Sequence, residues 1–219
     1  MFDFLEIIDL SYNMKNGMLT YNAPWHPSFS IKQLAQIKVE GRETRKVSFG
    51  THTGTHIDAP RHFIEQGNTV EKIPLEKLIG KVTIIDFSNL KEKECITAEM
   101  LKSLNISEKI IFKFGWGKYY GSDKFYVNYP YFSKEAANYL VSKGVEMLGH
   151  DTPSPDASYK KNNQEDSPIH KILLANDIVL VEYIANLEQV KNYEGWNILV
   201  CPLKIEGADG SPARVLIYK

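Results

Sequence analysis

Cysteine is nearly missing from this 219-residue chain: Cys95 and Cys201 are the two present, too few for a disulfide framework at this length. Both sit beside apolar segments, so two buried, reduced thiols are the expectation. An excess of one charge is missing too, with 26 basic and 27 acidic residues scattered along the chain. That argues against a nucleic-acid partner and against a membrane-surface partner. No apolar run approaches the ~20 residues needed to span a bilayer. No basic-then-apolar leader opens the chain either, because Asp3 and Glu6 interrupt the first apolar stretch. A cytoplasmic protein is expected. Internal repeats and low-complexity runs are absent, and nothing in composition separates two halves. Residues 1–219 therefore read as one domain, with 43% hydrophobic residues to build its core.

Histidine is scarce as well, and its distribution is uneven. Of six in the chain, His52, His56 and His62 fall within Thr51–Phe63, the stretch THTGTHIDAPRHF, with Asp58 among them. Imidazole nitrogen and carboxylate oxygen suit zinc, manganese and related divalent ions. Positions 52, 56 and 58 share parity, so an extended backbone would turn all three to one face. Thr-Gly-Thr between the histidines and Pro60 after them argue against a helix. The expectation is a strand or strand-like loop presenting a His-x3-His-x-Asp metal site, with His62 just past the proline. Single histidines are more often surface or hydrogen-bonded residues, and it is the clustering that shifts the reading towards metal.

Along the rest of the chain, strand and helix alternate. Leu5–Leu10 reads as a first strand, followed by a turn-rich passage to Ser30 with Asn16-Gly17, Pro24 and Pro27. Its rings, Tyr21, Trp25, His26 and Phe29, either cap the core or form an aromatic wall for a flat substrate. Arg42–Gly50 reads as a strand leading into the histidine window. A short helix is expected near Pro74, a buried strand over Lys81–Phe87, a helix over Thr97–Leu104 with Thr97 as N-cap, and a strand over Ile110–Phe114. Ser133 opens a helix through Lys143 with Gly144 as its C-cap, and Val145–Leu148 is the next strand. Strands over Asp177–Tyr183, Asn197–Leu203 and Arg214–Tyr218 close the chain with little helix between them. The fold class is α/β, a mixed sheet with flanking helices.

Two further residues have ligand chemistry. His170 lies in a helix opened by Ser167 and Pro168. Glu182 interrupts the apolar strand Ile178–Tyr183, where burying a carboxylate is costly without compensation; an edge strand with Glu182 facing solvent is the alternative. His150-Asp151 would make a pair that orients a ligand. Ser154 has no Gly-x-Ser-x-Gly surroundings, which speaks against a serine hydrolase. Gly115-Trp116-Gly117, followed by Tyr119-Tyr120, lacks a phosphate-loop pattern and reads as support for a pocket wall. Gly207, Asp209 and Gly210 read as a turn before the last strand.

The Thr51–Phe63 window resembles the signature of the cyclase family of metal-dependent hydrolases, whose best-described members are bacterial kynurenine formamidases. FKFGWG at 112–117, GHDTPSPD at 149–156 and IEGADGSPAR at 205–214 resemble three further blocks of that family, in the same order. The resemblance implies the swivelling β/β/α fold and two divalent ions; the mixed nitrogen and oxygen donors suit zinc, and manganese would be satisfied by the same residues. It implies that His52, His56 and Asp58 hold the first ion, that His170 belongs to the second, and that Asp58 and Glu182 touch both. Tyr183 follows Glu182 here, where the family more often has asparagine. His62 is then free to act as the catalytic general acid/base, with an extra ligand or a supporting role as its alternative. A tryptophan in the family's early loop contacts substrate, which makes Tyr21 and Trp25, with Phe63 beside His62, the substrate-binding candidates.

The function implied is hydrolysis of a small amide or formamide, by default N-formylkynurenine in tryptophan catabolism, by a homodimer or homotetramer. The rivals are hydrolysis of an isatin- or lactone-like ring, a polyketide-type cyclisation, and a metal-binding protein without activity.

Overall fold

A mixed sheet of nine strands runs through the centre of the computed structural model, which describes residues 6–158 and 165–219. In chain order its strands are β1 (Ile7–Asp9), β4 (His56–Asp58), β5 (Ile79–Lys81), β6 (Thr83–Asp86), β8 (Lys109–Lys113), β10 (Met147–His150), β11 (Val179–Glu182), β12 (Asn197–Pro202) and β13 (Gly210–Tyr218). Between them, β2 (Ser30–Ala35) pairs with β3 (Thr44–Ser48), and β7 (Cys95–Ile96) with β9 (Tyr131–Phe132), as separate two-stranded ribbons. Across the large sheet the order is β5-β12-β13-β4-β11-β10-β8-β6, with β1 added on β13. From β11 to β6 all pairings are parallel; from β5 to β11 all are antiparallel. The change of direction falls on β11, between β4 and β10.

Period-two alternation sorts the side chains. Ile57, Val179 and Val181 enter one core, with Ile198, Val215 and Ile217. Leu180, Leu148, Ile110 and Phe112 enter the other. Because Ile57 faces the first core, its neighbours His56 and Asp58 face the second side, as Glu182 does beyond Val181. That second side carries the helices. In α3 (Lys134–Ser142), Ala136, Ala137 and Leu140 are buried; in α4 (Pro168–Ala175), Ile169, His170, Leu173 and Leu174 are. Ser133 caps α3 by accepting from the Ala136 N–H at 3.1 Å, and Thr97 caps α2 (Ala98–Lys102) by accepting from Met100.

Several expectations need correction. The edge-strand alternative for Glu182 fails, since β11 is interior and Glu182 is buried. The histidine window is not one strand: β4 starts at His56, and residues 51–55 form turns and bends through Gly54 at φ 67°. The strand before it, β3, does not join the sheet. It forms an exposed ribbon with β2, whose tip is the one-turn helix α1 (Ile37–Glu40). The expected Lys81–Phe87 strand forms as β6, at one edge of the sheet, while Lys81 instead ends β5, at the opposite edge. The turn near Pro74 is 3₁₀ rather than α, over Leu75–Lys77. The thiols are free but not buried, with Cys201 on the outward side of β12. Leu5 lies outside the described residues.

Candidate metal centre

The parallel-to-antiparallel boundary builds the site. His56 is the register partner of Glu182 across β4 and β11, and β10 places His150 beside Glu182 on the other flank. Three polar side chains thus stand in a row across neighbouring strands, on the helix-covered side of the sheet. His170 reaches the same spot from the first turn of α4, and Asp58 from the end of β4. His56 Nε2 lies 3.3 Å from Asp58 Oδ1 and 3.5 Å from Glu182 Oε2; His170 Nε2 lies 3.4 Å from Asp58 Oδ2 and 3.3 Å from Glu182 Oε1. Asp58, His170 and Glu182 offer ligand atoms within 4.8 Å of one another, and so do His52, His56 and Asp58.

Each of these imidazoles is tied at its other nitrogen. His56 Nδ1–H donates to the Gly54 carbonyl at 2.8 Å, and His170 Nδ1–H to Asp156 Oδ2 at 2.6 Å. The bare Nε2 atoms then face carboxylate oxygens, acceptor against acceptor. His56 Nε2, Asp58 Oδ2, His150 Nε2 and Glu182 Oε1 are all buried without a hydrogen-bond partner. Lone pairs facing one another out of water are unfavourable unless a cation lies among them. With nitrogen and oxygen donors, tied back by outer hydrogen bonds, the residues fit a divalent metal.

The electrostatics agree. Burial disfavours the charged forms, but Asp58 and Asp209 push the His52 imidazole up to about 10. Burial likewise opposes charge on His170, whose imidazole the Asp156, Asp58 and Glu182 carboxylates raise well above its usual range. Against its own burial, Asp58 is held well below the usual carboxylate range by His52, His170 and His56. A carboxylate field that would hold protons on these buried imidazoles without a metal is one in which a divalent ion can take the protons' place. His150 is different: burial pushes it down.

Around this centre opens a cavity of about 920 Å³. His62, in the 3₁₀ turn Pro60–His62, lines it, with Phe63 packed between the His62 and His170 rings at centroid distances of 4.5 and 4.9 Å. Tyr21 and Trp25 stack at 6.0 Å on the cavity's outer rim, 48% and 68% exposed. Both rings line the cavity and neither caps the core. His26 lines the cavity too, its Nε2 bonded to the His52 carbonyl at 3.0 Å.

The structure brings His52, His56, Asp58, His170 and Glu182 together and sets His62 beside them. It does not pair His150 with Asp151. The Asp151 carboxylate turns away to accept from the Phe114 and Trp116 N–H groups at 2.8 and 2.9 Å, while His150 Nδ1–H meets the Thr152 carbonyl. Trp116 is buried behind the wall, its indole donating to the Phe125 carbonyl. Two residues escaped the sequence reading. Asp156 accepts from the Ile169 and His170 N–H groups, doing at the start of α4 what Ser167, at φ 49° with no capping bond, does not. Asp209 contacts His52 and His62, at 2.9 and 3.1 Å. Both lie in the 149–156 and 205–214 blocks, where the only signal was a carboxylate between turn residues.

Among known proteins, the family model for Cyclase matches residues 8–157. The kynurenine formamidase of Bacillus cereus (strain ATCC 10987) is 31% identical over 217 residues, covering 97% of each chain. Among solved structures, isatin hydrolase A from Ralstonia solanacearum superposes with a TM-score of 0.87 at 26% identity, over 97% of this chain and 91% of that one. A chain from Bacillus stearothermophilus described as a "predicted metal-dependent hydrolase" superposes with a TM-score of 0.78 at 25% identity, over 97% and 98%.

Proposed function

The chain belongs to the cyclase family, and from that premise we propose that it is a metal-dependent hydrolase of a small, non-peptide C–N bond, with an aryl formamide such as N-formylkynurenine as substrate. The observation that carries this reading is the set of buried, unpartnered acceptor atoms on His56, Asp58 and Glu182, of which His56 and Glu182 line the cavity. His52, His56 and Asp58 would hold one divalent ion, and His170 with Asp58 and Glu182 a second. Zinc suits the mixed nitrogen and oxygen donors, and manganese is accommodated by the same set. A metal bound there would supply Lewis acidity toward water and toward a carbonyl oxygen.

The remaining work belongs to the side chains. His62 donates through Nδ1–H to Asp209, which leaves Nε2 to take a proton from the attacking water and return it to the departing nitrogen. Phe63 packs against both the His62 and His170 rings and fixes their relative position. Tyr21 and Trp25 present ring faces at the rim, where a flat aryl group would stack. A cyclic substrate of isatin type is the second reading, supported by the superposition on isatin hydrolase A. We place the protein in the cytoplasm as a homodimer or homotetramer. Supporting an oligomer, Leu34, Ile37 and Val39 on the β2–β3 ribbon are 58%, 67% and 75% exposed, an apolar surface that a second copy would cover.

The test is metal analysis of the purified protein, with turnover of N-formylkynurenine, isatin and an aryl lactone before and after chelation. Hydrolysis lost on chelation and restored by zinc or manganese is expected. Turnover of all three that survives complete metal removal would sink the reading.

A further inference from the structure

Asp209 stands outside the two clusters that contain Asp58 and forms, with His52 and His62, a third group with ligand atoms within 4.8 Å, in which one of its oxygens serves both imidazoles. Oδ2 lies 2.9 Å from His52 Nε2 and 3.1 Å from His62 Nδ1. The two rings lie almost face to face, with centroids 3.9 Å apart and planes 34° from parallel. A carboxylate only accepts, so both nitrogens must be the N–H ends of their rings. At the opposite ends, His52 Nδ1 meets a second carboxylate, Asp58 Oδ1 at 2.7 Å, where a bound ion would take the place of its proton, and His62 Nε2 is left for the cavity.

The fold supports this contact with backbone rather than with side-chain packing. Asp209 ends the turn before β13, and its carbonyl accepts from the Ala59 N–H at 2.9 Å, just beyond the ligand strand β4. The next residue is register partner to Asp58 and must be glycine. A Cβ on Gly210 would lie 2.6 Å from His52 Cε1 and 2.8 Å from the Ile57 carbonyl oxygen. The absent side chain lets the His52 ring lie directly on the β13 backbone, within reach of Asp209.

We infer that Asp209 is a positioning residue joining the metal centre to the proton-transfer residue: through a single carboxylate oxygen it holds His62 as the Nδ1–H tautomer and fixes His52 by its Nε2–H. The inference rests on the reading of His62 and His52 given above. It goes further in assigning one outer carboxylate to both, so that loss of this group disturbs ligand orientation and proton transfer together. The Asp209 side chain is 37% exposed, so its removal leaves no large buried hole.

The experiment uses the full-length, zinc-loaded protein labelled with ¹⁵N-histidine. Long-range ¹H–¹⁵N spectra report the tautomer of each ring whether or not substrate turns over. Asp209→Ala is expected to shift the His62 signals from the Nδ1–H pattern towards the Nε2–H form. Its kcat should fall about 10- to 100-fold with little change in KM, the size typical of losing an outer partner. Asp209→Asn, which keeps an acceptor oxygen without the charge, is expected to fall between the two. Thermal melts of both variants within a few degrees of the unaltered protein establish that the fold is kept.

An unchanged His62 tautomer in Asp209→Ala overturns the inference. So does the loss of a bound ion matched by an unchanged tautomer, which would make Asp209 a ligand. If the unaltered protein hydrolyses none of the test substrates, the functional reading fails, while the spectra still decide the role of Asp209.

Discussion

At the scale of single residues, the centre combines like-signed groups that need an external cation with imidazoles already turned for one. Glu182 is the sharpest case. It is buried between His56 and His150, and its Oε1 has no hydrogen-bond partner. Glu182→Gln removes a charge while keeping the shape. The expected result is metal affinity weakened more than about 10-fold, with the secondary structure retained; elemental analysis after dialysis checks it. His62→Ala is expected to lower kcat by about 10²- to 10⁴-fold, the range of general acid–base catalysis, with metal content unchanged. Coincident loss of metal and rate in His62→Ala would instead mark His62 as a ligand. Residue types and spacing made His52, His56 and Asp58 legible in the sequence, because they lie within one short window. Asp209 was not legible: its two imidazole partners are 157 and 147 positions away, and no local pattern encodes that meeting.

At the scale of elements, the site depends on how strand ends are tied together. Asp151 follows β10 and accepts from the backbone N–H groups of Phe114 and Trp116 after β8. Burial pushes its carboxyl up to about 6 in spite of those donors. Asp151→Asn would turn an NH₂ towards a backbone N–H, leaving a buried donor unpaired. It is expected to destabilise the fold at pH 7.5 by about 1–3 kcal/mol, read from denaturant midpoints. Elements with strong local signals were readable, including α3 with Ser133 as its cap and the apolar strands β8 and β11. The β2–β3 ribbon and the separate edge strand β5 were not. The sequence places a strand over Arg42–Gly50 leading into the histidine window; β3 forms there, but every residue of it is exposed and it pairs with β2. Hydrophobic period alone does not say which sheet a strand joins, since pairing is decided by distant partners.

At the scale of the whole molecule, one acid response falls on Asp86, a carboxylate on the edge strand β6. Partial burial works to raise the Asp86 carboxyl. The Ser88 N–H at 2.8 Å, the Tyr193 hydroxyl and the Lys113 ammonium at 3.0 Å outweigh it and hold the group well below its ordinary value of 3.8. A carboxyl depressed in the folded state adds stability that is fully present above the unfolded value. That stability is lost as pH falls below about 4. Asp86→Asn is therefore expected to melt lower than the unaltered protein at pH 7, with the gap closing as pH drops towards 3; melting curves across that range decide it. A gap that widens in acid would contradict the assignment.

The sequence by itself determined the clustering of imidazole and carboxylate donors in Thr51–Phe63, the alternation of strands and helices, and the mixed character of the sheet. Each depends on residues close together in the chain, where spacing and backbone preference act directly. Only the tertiary structure decided that Glu182 is interior, that His56 stands opposite it, and that Asp156 and Asp209 hold the outer nitrogens of His170, His52 and His62. Those contacts arise because β11 lies where the sheet changes from parallel to antiparallel pairing, and strand order is settled by the burial of two cores rather than by any local signal.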